Sequence, residues 1–201
     1  MLSEIIEKNK KIIKGEDIDL VVKKLYLSSP SVGFMNTDDS TYVILNQISN
    51  KFSVPFKHIY VTGSAHIGFS LKTSNEYSKG SSDLDIAIVD GFLFDKILNG
   101  IVDDTFNFTK KSSFKSFEVY KSYINNVARG FIHPFYFPFG NTRKNWFDFF
   151  NELTLNHKES YSKISACLFS SEESFKNRQK YSINYFKANN HENKSILNEN
   201  D

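Results

Sequence analysis

Apolar residues in the first part of the chain recur at helical spacing. In residues 2–13 they fall at Leu2, Ile5, Ile6, Ile12 and Ile13, and in residues 17–27 at Ile18, Val21, Val22 and Leu25, with Gly15 between the two stretches. Positions three and four apart share one face of a helix, so the pattern predicts two amphipathic helices. Residues 36–52 predict a third. Thr37, Asp38 and Asp39 can cap its N-terminus, and Ile44, Ile48 and Phe52 follow at four-residue spacing.

The pattern changes after Pro55. Residues 58–62 are β-branched and aromatic and stop at Gly63, while residues 83–89 alternate carboxylates with apolar side chains and then become almost wholly apolar. Both predict strands, and they are expected to be neighbours. Between them, residues 65–71 predict a short helix, and the Ser, Asn, Lys and Gly cluster of 72–82 predicts a mobile surface loop. Residues 92–98 read as helical, and 103–116 as an exposed segment carrying Lys110, Lys111 and Lys115. Phe114, Phe117, Tyr120, Ile124 and Val127 then predict a helix up to Gly130. Residues 131–137, punctuated by Pro134 and Pro138, predict an edge strand or a bent one, because proline cannot donate to a ladder. Two or three helices are expected in 143–187 and a polar tail in 189–201.

Those elements predict an α/β (α+β) fold around a small mixed sheet. They divide the chain into a core with N-terminal helices over 1–140, a C-terminal helical segment over 141–188, and a disordered tail over 189–201. Composition narrows the class. The 201 residues carry 25 basic and 23 acidic side chains, a net charge of +2, with 40% hydrophobic and 24% charged residues, ordinary values for one globular domain. No apolar run approaches the roughly 18 residues of a membrane helix. The N-terminal stretch mixes Glu4, Glu7 and lysines into its apolar residues, unlike a secretory signal, so the expected location is cytoplasmic. The single cysteine, Cys167, excludes an internal disulfide and a thiolate metal site.

Chemistry concentrates in residues 63–85. Gly63 permits a tight turn and close approach of a ligand to the backbone, Ser64 offers a hydroxyl, and the N–H groups opening the next helix suit an anion. Asp83 and Asp85 are separated by one residue on a strand, which sends both carboxylates to one face and Leu84 to the other. Two such carboxylates repel unless a cation lies between them. Magnesium, which takes one or two carboxylates together with substrate phosphates, is the expected ion.

A strand, then Gly63 and Ser64, a spacer of eighteen residues, then Asp83, Leu84 and Asp85 opening an apolar strand resembles the nucleotidyltransferase superfamily, the polymerase-beta-like fold. The resemblance covers about residues 57–90. It implies that Asp83 and Asp85 bind Mg2+, that Gly63 and Ser64 hold the triphosphate of a nucleotide such as ATP, and that a nucleoside monophosphate passes to a hydroxyl with release of pyrophosphate. The acceptor is open among protein, RNA and small molecule. Active members of that superfamily usually present a third carboxylate from a later strand. The expected strand, 131–137, offers His133 and Phe135 instead, Glu118 lies on a helical pattern, and Asp103 and Asp104 lie in a loop. Either one of these completes the site, or His133 substitutes poorly, or a nucleotide is bound without turnover.

Simpler roles stand beside these. His66 reads as a surface residue, His133 as a packed ring and Cys167 as a buried thiol. The lysines of 103–116 read as a solvated loop or a contact to a polyanion. Lys176, Arg178, Lys180, Tyr181 and Tyr185 suit either base stacking or helix packing. Two rival functions follow: an inactive, antitoxin-like nucleotide-binding partner, and a nucleic-acid-binding protein.

Overall fold

The computed structural model describes residues 2–15, 17–35 and 39–198, with side chains through Asn189. Its order is α1 (Leu2–Gly15), α2 (Ile18–Val22), α3 (Ser40–Phe52), β1 (Ile59–Thr62), α4 (Ser64–Ile67), β2 (Leu84–Val89), α5 (Gly91–Asp104), α6 (Phe117–Ala128), β3 (Phe131–Ile132), α7 (Asn141–Asn156), β4 (Ile164–Phe169) and α8 (Glu172–Asn198). A π-helical turn, Lys23–Ser28, continues α2. The fold is mixed α+β, as the patterning predicts, and among the described residues no helix is long and apolar enough to cross a membrane.

One sheet runs in the order β1, β2, β4, β3. β1 and β2 are antiparallel, β2 and β4 parallel, and β3 and β4 antiparallel. Alternation along β2 divides the core. Leu84, Ile86 and Ile88 point to one face and join Ile44 and Ile48 of α3, Leu93 and Ile101 of α5, and Trp146 and Phe150 of α7. Ala87 points to the other and joins Ile6 and Ile13 of α1, Val21 and Val22 of α2, and Phe175 and Ile183 of α8. The molecule is thus helix, sheet, helix, each helical stripe burying its apolar positions against the pleat.

Several expectations are corrected. Residues 164–169 fall where helices are expected, yet they form β4 and lie between β2 and β3. The strand expected over 131–137 is only Phe131–Ile132. There the Nδ1 of His133 accepts from the N–H of Phe135 at 3.2 Å, and Pro134 opens a 3-10 turn over Pro134–Tyr136. Of the residues expected to cap α3, Thr37 and Asp38 lie outside the described residues, and Asp39 takes the N-cap position at φ 50° without a side-chain bond. The helix α8 runs from Glu172 to Asn198, and residues 199–201, part of the segment expected to be a tail, lie outside the described ones.

Candidate functional site

The two halves of the sequence motif meet because β1 and β2 pair. Thr62, the last residue of β1, is opposite Asp85, and Asp85 is opposite Ser165 of β4, so one row of side chains crosses the sheet on a single face. This is the face that α8 covers further along, at Ala87 and Phe169. At the Asp85 end it opens into a cleft of about 580 Å³ lined by Gly63, Ser64, Asp83, Asp85, Ser165 and Arg178, among others.

Gly63 makes the turn that brings the halves into contact. Its φ of 62° and ψ of −154° form a conformation essentially reserved for glycine. A Cβ there would stand 2.6 Å from Oδ2 of Asp85. The backbone of the turn therefore lies directly against the carboxylate. The helix that follows is one turn long, and its His66 and Ile67 N–H groups already bond the Gly63 carbonyl at 3.1 and 3.3 Å. It leaves at most the N–H groups of Ser64 and Ala65 for a ligand, and a single turn has little dipole.

The carboxylates are held by two serines, Ser162 just before β4 and Ser165 within it. Ser162 Oγ donates to Asp83 at 2.6 Å, and Ser165 Oγ donates to Asp85 at 3.1 Å. Asp83 stands one residue before β2, Leu84 behind it is fully buried, and both acids open onto the cleft. The pKa of Asp85 is raised above the ordinary carboxylate value. Desolvation by the surrounding cleft walls is the main cause, although the side chain itself opens to solvent; the Ser165 bond opposes it, Asp83 adds to it, and Lys163 opposes it. A cation between the two acids would reverse that penalty. The donor set, two carboxylates with neighbouring hydroxyls and room for phosphate oxygens, fits one Mg2+ shared with a ligand.

No third acid joins them among the described residues, where no group of three His, Cys, Asp or Glu side chains is placed to hold a metal. The neighbouring strand is β4, and it presents Ser165 and Cys167 to the cleft. Phe131 and Ile132 pair with the far end of β4, so two strand spacings, about 10 Å, separate them from β2. Phe135 is 64% exposed and lies outside the cleft, while His133 lines its far end with Phe131 and Arg178. Burial first, then Arg178 and Lys163, lower the pKa of His133 and favour its neutral ring. Asp104 caps α7 instead, accepting from the Asn141 and Thr142 N–H groups at 3.0 and 2.8 Å. Glu118 lies in the first turn of α6, beyond the cleft.

Two further residues and one loop are placed as follows. His66 is buried, not a surface residue: its Nε2 donates to the Leu25 carbonyl at 2.5 Å and its ring stacks on Tyr26 at 4.9 Å. Burial drives its pKa down to about 4 against that hydrogen bond. Cys167 is half-buried and faces the cleft, its thiol pushed up to about 12 by burial and by Asp85, with Arg178 opposing. It is therefore a poor nucleophile at neutral pH. The loop expected to be mobile is tied at several points: Gly80 N–H to Ser160 O at 2.8 Å, Ser162 N–H to Ser82 O at 3.2 Å, and Tyr77 N–H to Gly68 O at 2.8 Å. Sequence reasoning missed Ser162 and Ser165, which carry no motif and were hidden with β4. It left Arg178 undecided between packing and binding; the guanidinium faces the cleft while lying 5.4 Å from the Phe131 and Tyr181 rings.

Comparison with known proteins finds no family model, no curated protein and no solved structure that matches this chain.

Proposed function

We propose that the cleft is a Mg-dependent nucleotide site and that the protein is a nucleotidyltransferase, moving a nucleoside monophosphate from a nucleoside triphosphate to a hydroxyl acceptor. One observation carries this reading: the Gly63 turn and the Asp83, Asp85 pair, with eighteen residues between Ser64 and Asp83 in sequence, meet at Asp85 on one face of paired strands. Asp83 and Asp85 would hold the ion, and Ser162 and Ser165 aim their carboxylates into the cleft. Bound there, Mg2+ supplies neutralisation of phosphate charge and polarisation of the acceptor oxygen. Gly63 lets phosphate oxygens approach the backbone, Ser64 offers its hydroxyl, and Arg178 faces the same space as a counter-charge.

A second reading has its own support. Opposite Asp85, where a later strand would bring a third carboxylate, β4 carries Ser165. A serine hydroxyl neither adds charge to a metal site nor takes a proton at neutral pH, and this favours a nucleotide-binding relative with slow or absent turnover. Incubation with each of the four α-labelled nucleoside triphosphates and Mg2+, with and without cell extract, separates the two. Labelled product from the unmodified protein supports the enzyme; retained, unconverted nucleotide supports the binding partner. In the second case Ser165→Asp is expected to raise transfer by on the order of 100-fold, the contribution of a positioned acid or base. Absence of both binding and transfer removes the whole reading.

A further inference from the structure

A second surface, separate from the cleft, combines cations with exposed rings. Across residues 105–147 the chain carries Lys110, Lys111, Lys115, Lys121, Arg129, Arg143 and Lys144 and a single acid, Glu118. The whole chain has a net charge of +2, so the remaining residues are net acidic and the positive charge is concentrated here. Folding brings the parts together. Phe139 N–H bonds the Ser113 carbonyl at 2.7 Å, joining the segment before α7 to the one before α6, and Asp104 fastens the start of α7 to the end of α5.

On this surface four of the seven cations, Lys110, Lys111, Lys121 and Arg143, lie over rings. Lys110 stands 5.6 Å from the centre of Phe106, Lys111 5.5 Å from Tyr120, and Lys121 4.6 Å from Phe117. Arg143 lies 5.6 Å from Phe139 and 4.6 Å from Phe147. Yet Phe106, Phe117 and Phe139 remain 67%, 53% and 58% exposed. The exposed part of each ring is not removed from water and so contributes little to folding, and among the described residues no carboxylate forms an ion pair with Lys110, Lys111, Lys115 or Lys121. Of the nearby acids, Asp104 is engaged with α7 and Glu118 with its own N–H and Ser116 at the head of α6; Glu118 also interacts electrostatically with Lys121, Asp148 pairs with Lys144, and Asp103 stands apart, so Lys110, Lys111 and Lys115 carry the uncompensated charge.

We infer that this surface binds single-stranded nucleic acid, phosphates on the lysines and unstacked bases on the exposed rings. Duplex bases are already stacked on one another and offer no face to Phe106, Phe117 or Phe139, whereas a single strand exposes a π face at every base. Spaced cations among rings match the alternation of charge and base along such a strand.

The test is fluorescence anisotropy of labelled oligouridylate, oligothymidylate and a mixed-sequence duplex with the full chain in EDTA, which removes any part for a metal in the cleft. Single strands are expected to bind more tightly than duplex, and four phosphate contacts would make affinity fall roughly 50-fold between about 50 and 200 mM salt. Substituting Lys110→Gln with Lys111→Gln should flatten that salt dependence. Substituting Phe106→Leu with Phe117→Leu should weaken binding about tenfold at an unchanged salt slope, because apolar area is kept and stacking is lost. Lys8→Gln with Lys11→Gln, on α1, should change neither. The inference is overturned by absence of oligonucleotide binding at the lower salt, by binding that the patch variants leave intact, or by co-sedimentation with phosphatidylserine vesicles while oligonucleotides stay unbound.

Discussion

Gly63 and His66 are three residues apart and show how single positions decide the site. At Gly63 any side chain must adopt a strained backbone and then meet the Asp85 carboxylate. Gly63→Ala is therefore expected to destabilise the fold by about 2–3 kcal/mol and to weaken nucleotide binding, and Gly63→Val to be worse. Urea unfolding and calorimetry check both, and full stability of the Ala variant would contradict the geometry. At His66 the folded pKa of about 4 lies below the unfolded value near 6.5. The unfolded chain then binds more protons between these values, so stability from this group is intact above pH 6.5 and is lost as pH falls towards 4. About 2 kcal/mol should go between pH 7.5 and 5, and His66→Gln should remove that part of the pH dependence in urea titrations. Asp85 acts in the opposite sense: its raised pKa makes stability fall as pH rises past the unfolded carboxylate value. Comparing wild type with the Gln variant, rather than reading either curve alone, isolates the histidine.

Among the elements, the ones readable in the sequence were those whose burial has a simple period. α1, α3, β1 and β2 each have one apolar face or an apolar run bounded by Gly or Pro, and the motif at Gly63 to Asp85 could be placed because both strands were visible. β4 was not legible. Ile164, Ser165, Ala166, Cys167, Leu168 and Phe169 form a central strand covered on both faces for most of its length, so polar and apolar positions do not alternate cleanly, and helical patterns flank it. With β4 hidden, residues 131–137 are the one later strand the pattern offers for a third acid, and there Pro134 ends the strand after two residues. Asp104 shows the same limit, since a carboxylate at the end of α5 that caps α7 leaves no local trace. Asp104→Ala should cost about 1–2 kcal/mol by chemical denaturation, as the loss of an N-cap does, while leaving nucleotide affinity unchanged. Loss of nucleotide binding in that variant, with the protein still folded, would return Asp104 to the candidate site.

At the scale of the whole molecule, the sheet separates two jobs. One face and the helices α3, α5 and α7 form an apolar core; the other is sealed by α1, α2 and α8 except where Asp85, Ser165 and Gly63 open to solvent. Stability and the cleft can therefore be varied separately, because the carboxylates contribute charge repulsion rather than packing. The direct test is isothermal calorimetry of ATP in the presence and absence of Mg2+, with wild-type protein and with the Asp83→Ala, Asp85→Ala double variant, folding being followed by circular dichroism. Mg-dependent binding by the wild type, its loss in the double variant and an unchanged or raised melting temperature are the expected results. A folded double variant that keeps wild-type affinity for ATP and Mg2+ would contradict the assignment of this cleft.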